Sequence, residues 1–331
     1  MNQPLAPPLQ PGLWGLSPAA LRVIEISRQH LQPDRWQLSP VIRELHDIRD
    51  EWRKSHRRLR GFGGREFPSR EALRGIVSAL TGALFPMRLG PADLRHEDED
   101  AYIADTLDSA LNGLHTQIHL ELAYRSRREG GNFTAGADDI VRRFAAELPE
   151  IRRKLDCDEE AAYLGDPAAR SVDEVLLCYP GVLAVISHRI AHQLHQLGAP
   201  LVARIIAEIA HSDTGIDIHP GARIGNGFFI DHGTGVVIGE TAVIGNRVRI
   251  YQAVTLGARH FPAEADGALA KGLPRHPIVE DDVVIYAGAT LLGRITIGKG
   301  ATIGGNVWVT RDVAAGSVIT QANLQKGDGR E

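Results

Sequence analysis

The sequence predicts an α+β protein, with an all-helical N-terminal domain followed by a parallel β-helix of hexapeptide repeats. Three observations carry this. Val279, Ile285, Leu291, Ile297, Ile303 and Val309 stand six residues apart without a miss. Val283, Ala289, Ile295, Ala301, Val307 and Val313 follow four positions after each, and all are small or β-branched. Up to about residue 212, by contrast, the apolar spacing is helical. A six-residue period fits neither a helix nor one alternating strand. It suits coils of three short strands around an interior that admits only small aliphatic side chains.

In the helical half, Val41, Leu45, Ile48 and Trp52 recur at intervals of four, three and four, as one face of a helix. Similar stripes run through 72–84, 101–124 and 137–155. Segments 181–198 and 201–210 read as two further helices, parted by Gly-Ala-Pro at 198–200. In the repeat half, Ile224, Ile230 and Val236 keep the step, which resumes two residues late at Ile238, Ile244, Ile250 and Leu256. The run 258–277, "ARHFPAEADGALAKGLPRHP", breaks the repeat and is expected to leave the solenoid as a loop, a place where function concentrates. The domains expected are a loose Pro-rich lead-in at 1–35, a helical domain at 36–212, a β-helix at 213–318 and a tail at 319–331.

Composition narrows the partners. A hydrophobic content of 43% over 331 residues supplies an ordinary core, and a formal charge of −4 argues against nucleic acid. The N-terminus has no basic segment followed by an apolar run, and no stretch approaches the roughly 18 apolar residues of a membrane span. Two cysteines, Cys157 and Cys178, are too few for a disulfide framework. A cytoplasmic protein without membrane or nucleic-acid partners is expected.

One stretch of the repeat does not fit a structural role. Residues 229–241 read "FIDHGTGVVIGET", with a titratable pair at Asp231 and His232 followed by two glycines. An imidazole titrates near working pH and serves as a general base, a role that contributes about 10²–10⁴-fold to a rate. Residues 217–258, "DIHPGARIGNGFFIDHGTGVVIGETAVIGNRVRIYQAVTLGA", with the later "RHP" and "VEDDVVIYAGATLLGRITIGKGATIGGNVWV", resemble the serine O-acetyltransferase family of hexapeptide-repeat acyltransferases.

That resemblance implies a left-handed β-helix that assembles as a homotrimer with active sites between neighbouring solenoids; in many members the N-terminal helices pair two trimers. It implies His232 as catalytic base and Asp217 as its partner carboxylate. L-Serine would be contacted by Arg275 and His276, with its carboxylate on Arg275 and its ammonium near Asp231 and Asp166. Acetyl-CoA, the co-substrate, would lie along the groove past Ala258, Ala287 and Gly305, where small residues admit the pantetheine arm. His232 is fifteen residues after Asp217, short of an eighteen-residue coil, so stacking does not by itself align them. No metal is implied. His188, His192 and His195, at helical spacing, read as hydrated residues of a helix covering the solenoid, and "RKSHRRLRGFGGR" at 53–65 as a solvated helix end without the Lys-Ser/Thr of a phosphate loop.

The lengthened 258–277 segment keeps homoserine or another serine-like acceptor as the alternative. A zinc-dependent carbonic anhydrase is disfavoured because the repeat half has only His219, His232, His260 and His276, with no His-x4-His pair. A silent scaffold would have no use for both Asp217 and His232. The chain closes on "GDGRE" and not on the isoleucine that docks family members into a cysteine synthase complex, so that complex is not expected.

Overall fold

The computed structural model describes residues 36, 38–56, 67–129, 133, 136–260, 269–270 and 272–322. The Pro-rich lead-in, most of the basic 53–65 run, residues 261–268 of the expected loop and the end of the tail lie outside the described residues. The chain divides into two compact units, Met1–Glu66 and Phe67–Glu331. The first contains helix α1 (Leu38–Ser55), none of whose residues is buried.

The second unit opens with α2 (Arg70–Leu84), started by the Ser69 hydroxyl accepting from Ala72 N. The short α3 (Pro86–Leu89) follows, then the long α4 (Glu99–Glu129) and α5 (Ala137–Gly165). Three more helices, α6 (Val172–Cys178), α7 (Pro180–Gln196) and α8 (Pro200–Thr214), lead to the solenoid. Proline stands at the start of both α7 and α8, where its missing N–H costs no helical bond. Gly215, at φ +71°, ends α8 in the left-handed conformation. Among the described residues no single helix is long and apolar enough to cross a membrane, and Cys157 and Cys178 are both free and exposed.

From Asp217 the chain winds through short strands β1 (Asp217–Ile218) to β14 (Val318–Ile319), wound as the left-handed parallel β-helix expected of hexapeptide repeats. Three parallel sheets form the faces of a triangular prism: β1-β4-β7-β10-β13, β2-β5-β8-β11 and β3-β6-β9-β12-β14. The hexad residues fill the interior, with Val279, Ile285, Leu291, Ile297 and Ile303 all 0–1% exposed. The two-residue slip has a structural location. Asp217 pairs with Val237, twenty residues on, because the corner from β3 (Phe229–Ile230) to β4 (Val237–Ile238) holds two additional residues. His232 lies in that corner.

A buried ion pair fixes the helices to the first coil. Arg189 on α7 makes a two-pronged contact with Asp158 on α5 and also donates to the carbonyls of Ile224 and Gly225. Asp158 accepts in addition from Phe228 N. Burial raises the Asp158 carboxyl to about 6 despite the guanidinium.

Candidate active site

Strand β3 delivers Asp231 and His232 to the corner between the third and first sheets. Asp231 is buried, its N–H donates to Ile250 O, and its carboxylate accepts from Arg249 Nη2 at 2.6 Å. Arg249 is itself held between the rings of Phe229 and Tyr251, at 5.1 and 4.7 Å from their centroids. His232 follows at φ +59°, a backbone state that non-glycine residues rarely adopt, with its side chain 74% exposed. Its Nε2 stands 3.8 Å from Asp231 Oδ1. Gly233, at φ +93°, answers for the first motif glycine, since a Cβ there would lie 2.4 Å from Ile216 Cδ1.

Asp166 joins this group from the helical side. It caps the end of α5, accepting from Ala168 N and, at 2.5 Å, from the Tyr179 hydroxyl. The Tyr179 bond holds the Asp166 carboxyl below its ordinary range, helped by the Ala168 N–H and by the nearby charges of Arg249 and His232. The same bond pushes the Tyr179 phenol up to about 12. The approach is close because α7 begins against β3. A Cβ on Gly181 would lie 2.2 Å from Ile230 O.

Arg275 and His276 occupy a different corner, between the first and second sheets, just ahead of β8 (Ile278–Val279). The "ET" of "IGET" organises them. Arg275 Nη2 donates to Glu240 Oε2 at 2.7 Å, and the N–H groups of Arg275 and His276 both donate to Thr241 Oγ1. Thr241 N donates to His276 Nδ1 at 3.0 Å, which leaves the proton of the neutral ring on Nε2. Burial, and then the Arg275 cation, push His276 down to about 4, so the ring is neutral at physiological pH. His219 on the same corner accepts from Gly221 N and is also pushed down to about 4, by burial and by Arg204. Beside Arg275 a cleft of about 310 Å³ opens between Arg259, His260, Leu273, Arg294 and Thr310.

The candidate residues therefore sort onto two edges of one prism. Asp231, His232, Ala287 and Gly305 lie on the edge from the third to the first sheet, with Asp166 beside Asp231. Arg275, His276 and Ala258 lie on the edge from the first to the second. Turn hydrogen bonds run along the first edge from Ala253 N to Thr234 O, Gly288 N to Gln252 O and Asn306 N to Ala287 O. Ala287 and Gly305 thus stand two and three coils beyond His232, roughly 10–15 Å at the spacing of strands. A Cβ on Gly305 would lie 3.1 Å from Ala287 O, so a larger side chain would fill the edge.

Asp217 opens β1 on the outer side of the first sheet, with its carboxylate near His211 and Glu208 on α8. No hydrogen bond or ion pair joins Asp217 to His232 within this protomer among the described residues. The residue opposite Asp217 one coil on is Val237. The histidines of α7 differ from the expected hydrated set. His188 is buried, with its Nδ1 unpartnered in the protein, His192 Nδ1 is hydrogen-bonded to Pro220 O, and the His195 ring packs edge-on to His219. Sequence reasoning missed Arg249, Tyr179, Glu240 and Thr241. The period signalled neither Arg249 nor Tyr179, for the register pairs Arg249 with Phe229, twenty residues before it.

An exposed histidine stands on a corner of the hexapeptide solenoid, at the head of an edge of small residues. Residues 276–311 match the family described as bacterial transferase hexapeptide (six repeats). The chain is 59% identical to "Serine acetyltransferase, plasmid" of Synechococcus elongatus over 78% of this chain and 83% of that one. It is 49% identical to the serine acetyltransferase of Bacillus licheniformis over 49% of this chain and 71% of the other. Among solved structures, serine acetyltransferase 1 of Entamoeba histolytica in complex with L-cysteine superposes with a TM-score of 0.66. The identity is 41%, over 74% of this chain and 86% of that one. The chain belongs to the serine acetyltransferase family.

Proposed function

We propose that the chain is a serine O-acetyltransferase working as a homotrimer, with each active site built from unlike edges of two neighbouring solenoids. The observation that carries the reading is the division of the candidate residues. The base and two carboxylates lie on one edge, while the carboxylate-binding Arg275 lies on another. A serine zwitterion needs both, and a threefold assembly would face one edge of each copy with the other edge of the next.

On this reading the serine carboxylate meets the guanidinium of Arg275, and its ammonium lies near Asp231 and Asp166. His232 takes the hydroxyl proton as the oxygen forms its bond to the thioester carbonyl carbon of acetyl-CoA. The carbon–sulfur bond then breaks, and the imidazolium returns its proton to the departing thiolate, giving CoA and O-acetylserine, which would feed cysteine synthesis. Asp217 would orient the imidazole from the neighbouring copy, since within one copy its carboxylate lies near Glu208 and His211 and no hydrogen bond or ion pair joins it to His232 among the described residues. The pantetheine arm would run past Ala287 and Gly305, where the narrow turns leave room for it.

The test is CoA thiol release from acetyl-CoA with L-serine and L-homoserine offered separately. Serine-dependent release is expected. His232→Ala should keep the trimeric mass and lose at least about 10²-fold in turnover. Near-normal turnover would remove His232 from the mechanism, and a preference for homoserine would change the acceptor.

A further inference from the structure

Helix α1 carries an apolar face that is largely exposed among the described residues. Leu38, Val41, Ile42, Leu45 and Ile48 are each between 48% and 58% exposed. Their spacing is that of a coiled coil, three and four residues alternately. Leu38, Leu45 and Trp52 take the a positions, and Val41, Ile48 and Ser55 the d positions. The outward b, c and f positions hold polar residues and Pro40 in the first turn; Arg43, His46, Asp47, Asp50, Arg53 and Lys54 are among them. Two of these, His46 and Arg53, pair with Asp50 on the helix's own surface.

The flanking positions specify the partner. Glu44 and Glu51 stand at g, and Ile42, Arg49 and His56 at e. In parallel, in-register helices a g residue faces the e residue five positions later in the neighbouring chain, which pairs Glu44 with Arg49 and Glu51 with His56. Antiparallel helices would set g against g and bring the glutamates together, so charge selects the parallel arrangement. The core residues select the number of strands. In the first two heptads leucine at a (Leu38, Leu45) with β-branched residues at d (Val41, Ile48) favours three or four strands over two. Ile42 at e widens the apolar stripe in the same sense.

We infer that α1 forms a parallel, in-register, three-stranded coiled coil with the α1 helices of two further copies of this chain. The strand number is shared with the homotrimer proposed above, on which this inference rests. A helix of 18 residues is marginal alone, but joined to a solenoid trimer it associates at high effective concentration.

The experiment uses the full chain with Cys157→Ser and Cys178→Ser, so that only introduced thiols react. Glu44→Cys and Arg49→Cys together place thiols on both sides of each helix contact. Within one helix the two are too far apart to bridge. Oxidation is expected to give a covalent trimer on a non-reducing gel. Adding Leu45→Asp should abolish it, with trimeric mass by light scattering and serine-dependent turnover unchanged. A trimeric mass with only monomeric or dimeric bands overturns the coiled coil and leaves the catalytic trimer standing. A chain whose mass in solution is neither that of a trimer nor that of a pair of trimers overturns both.

Discussion

Arg249 donates to the buried carboxylate of Asp231 at 2.6 Å, one coil below it and one residue from His232. The pair fixes the residue that precedes the proposed base, and two aromatic rings fix the guanidinium. Arg249→Met should leave Asp231 buried without its cation. The expected cost is about 1–3 kcal/mol of stability, read by chemical denaturation, together with a rise in the KM for serine. Unchanged stability and KM would make the pair incidental.

Tyr179 anchors Asp166 through a single hydroxyl. Tyr179→Phe keeps the ring and removes that bond. It should raise the KM for serine severalfold and leave the KM for acetyl-CoA alone, because Asp166 remains charged at neutral pH but loses its fixed position. Steady-state kinetics with each substrate varied in turn would separate the two. An equal effect on both would point to a general loosening of the α7 junction.

Gly305 sits against Ala287 O on the edge assigned to the pantetheine arm. Gly305→Val should raise the KM for acetyl-CoA about 10-fold or more through steric exclusion, with the serine KM little changed. A normal KM for acetyl-CoA would move the thiol arm off this edge.

His219 and His276 give the fold a dependence on pH. Both are pushed down to about 4 in the folded chain, against about 6.5 when unfolded. Between those values the unfolded chain binds more protons, so their contribution is full above about pH 6.5 and is lost as pH falls towards 4. The urea midpoint should drop across that window. His219→Gln with His276→Gln should flatten the drop, and an identical profile would assign the effect to other groups.

Several of these relationships could be read in advance and several could not. The repeat named its interior residues because each hexad must present a small aliphatic to the same narrow core, and Val279 through Ile303 do so. The two additional residues in the corner broke that regularity for Arg249, which pairs in register with Phe229, twenty residues before it. Tyr179 and Asp166 come from two helices whose relative approach depends on the Gly181 contact with β3, and no period encodes that. Glu240 lay in plain view in "IGET", but its partner Arg275 stands 35 residues on, inside the 258–277 segment where the repeat gives no register.

The sequence alone determined the solenoid and its interior, because period is a local property of a chain, and its resemblance to a family supplied the candidate site residues. Only the tertiary structure decided that those residues fall on two edges of one prism. Which edge a residue occupies depends on every turn before it, including the two additional residues at His232. On the proposed reading, a repeat closed in this way completes its serine-binding site by meeting another copy of itself.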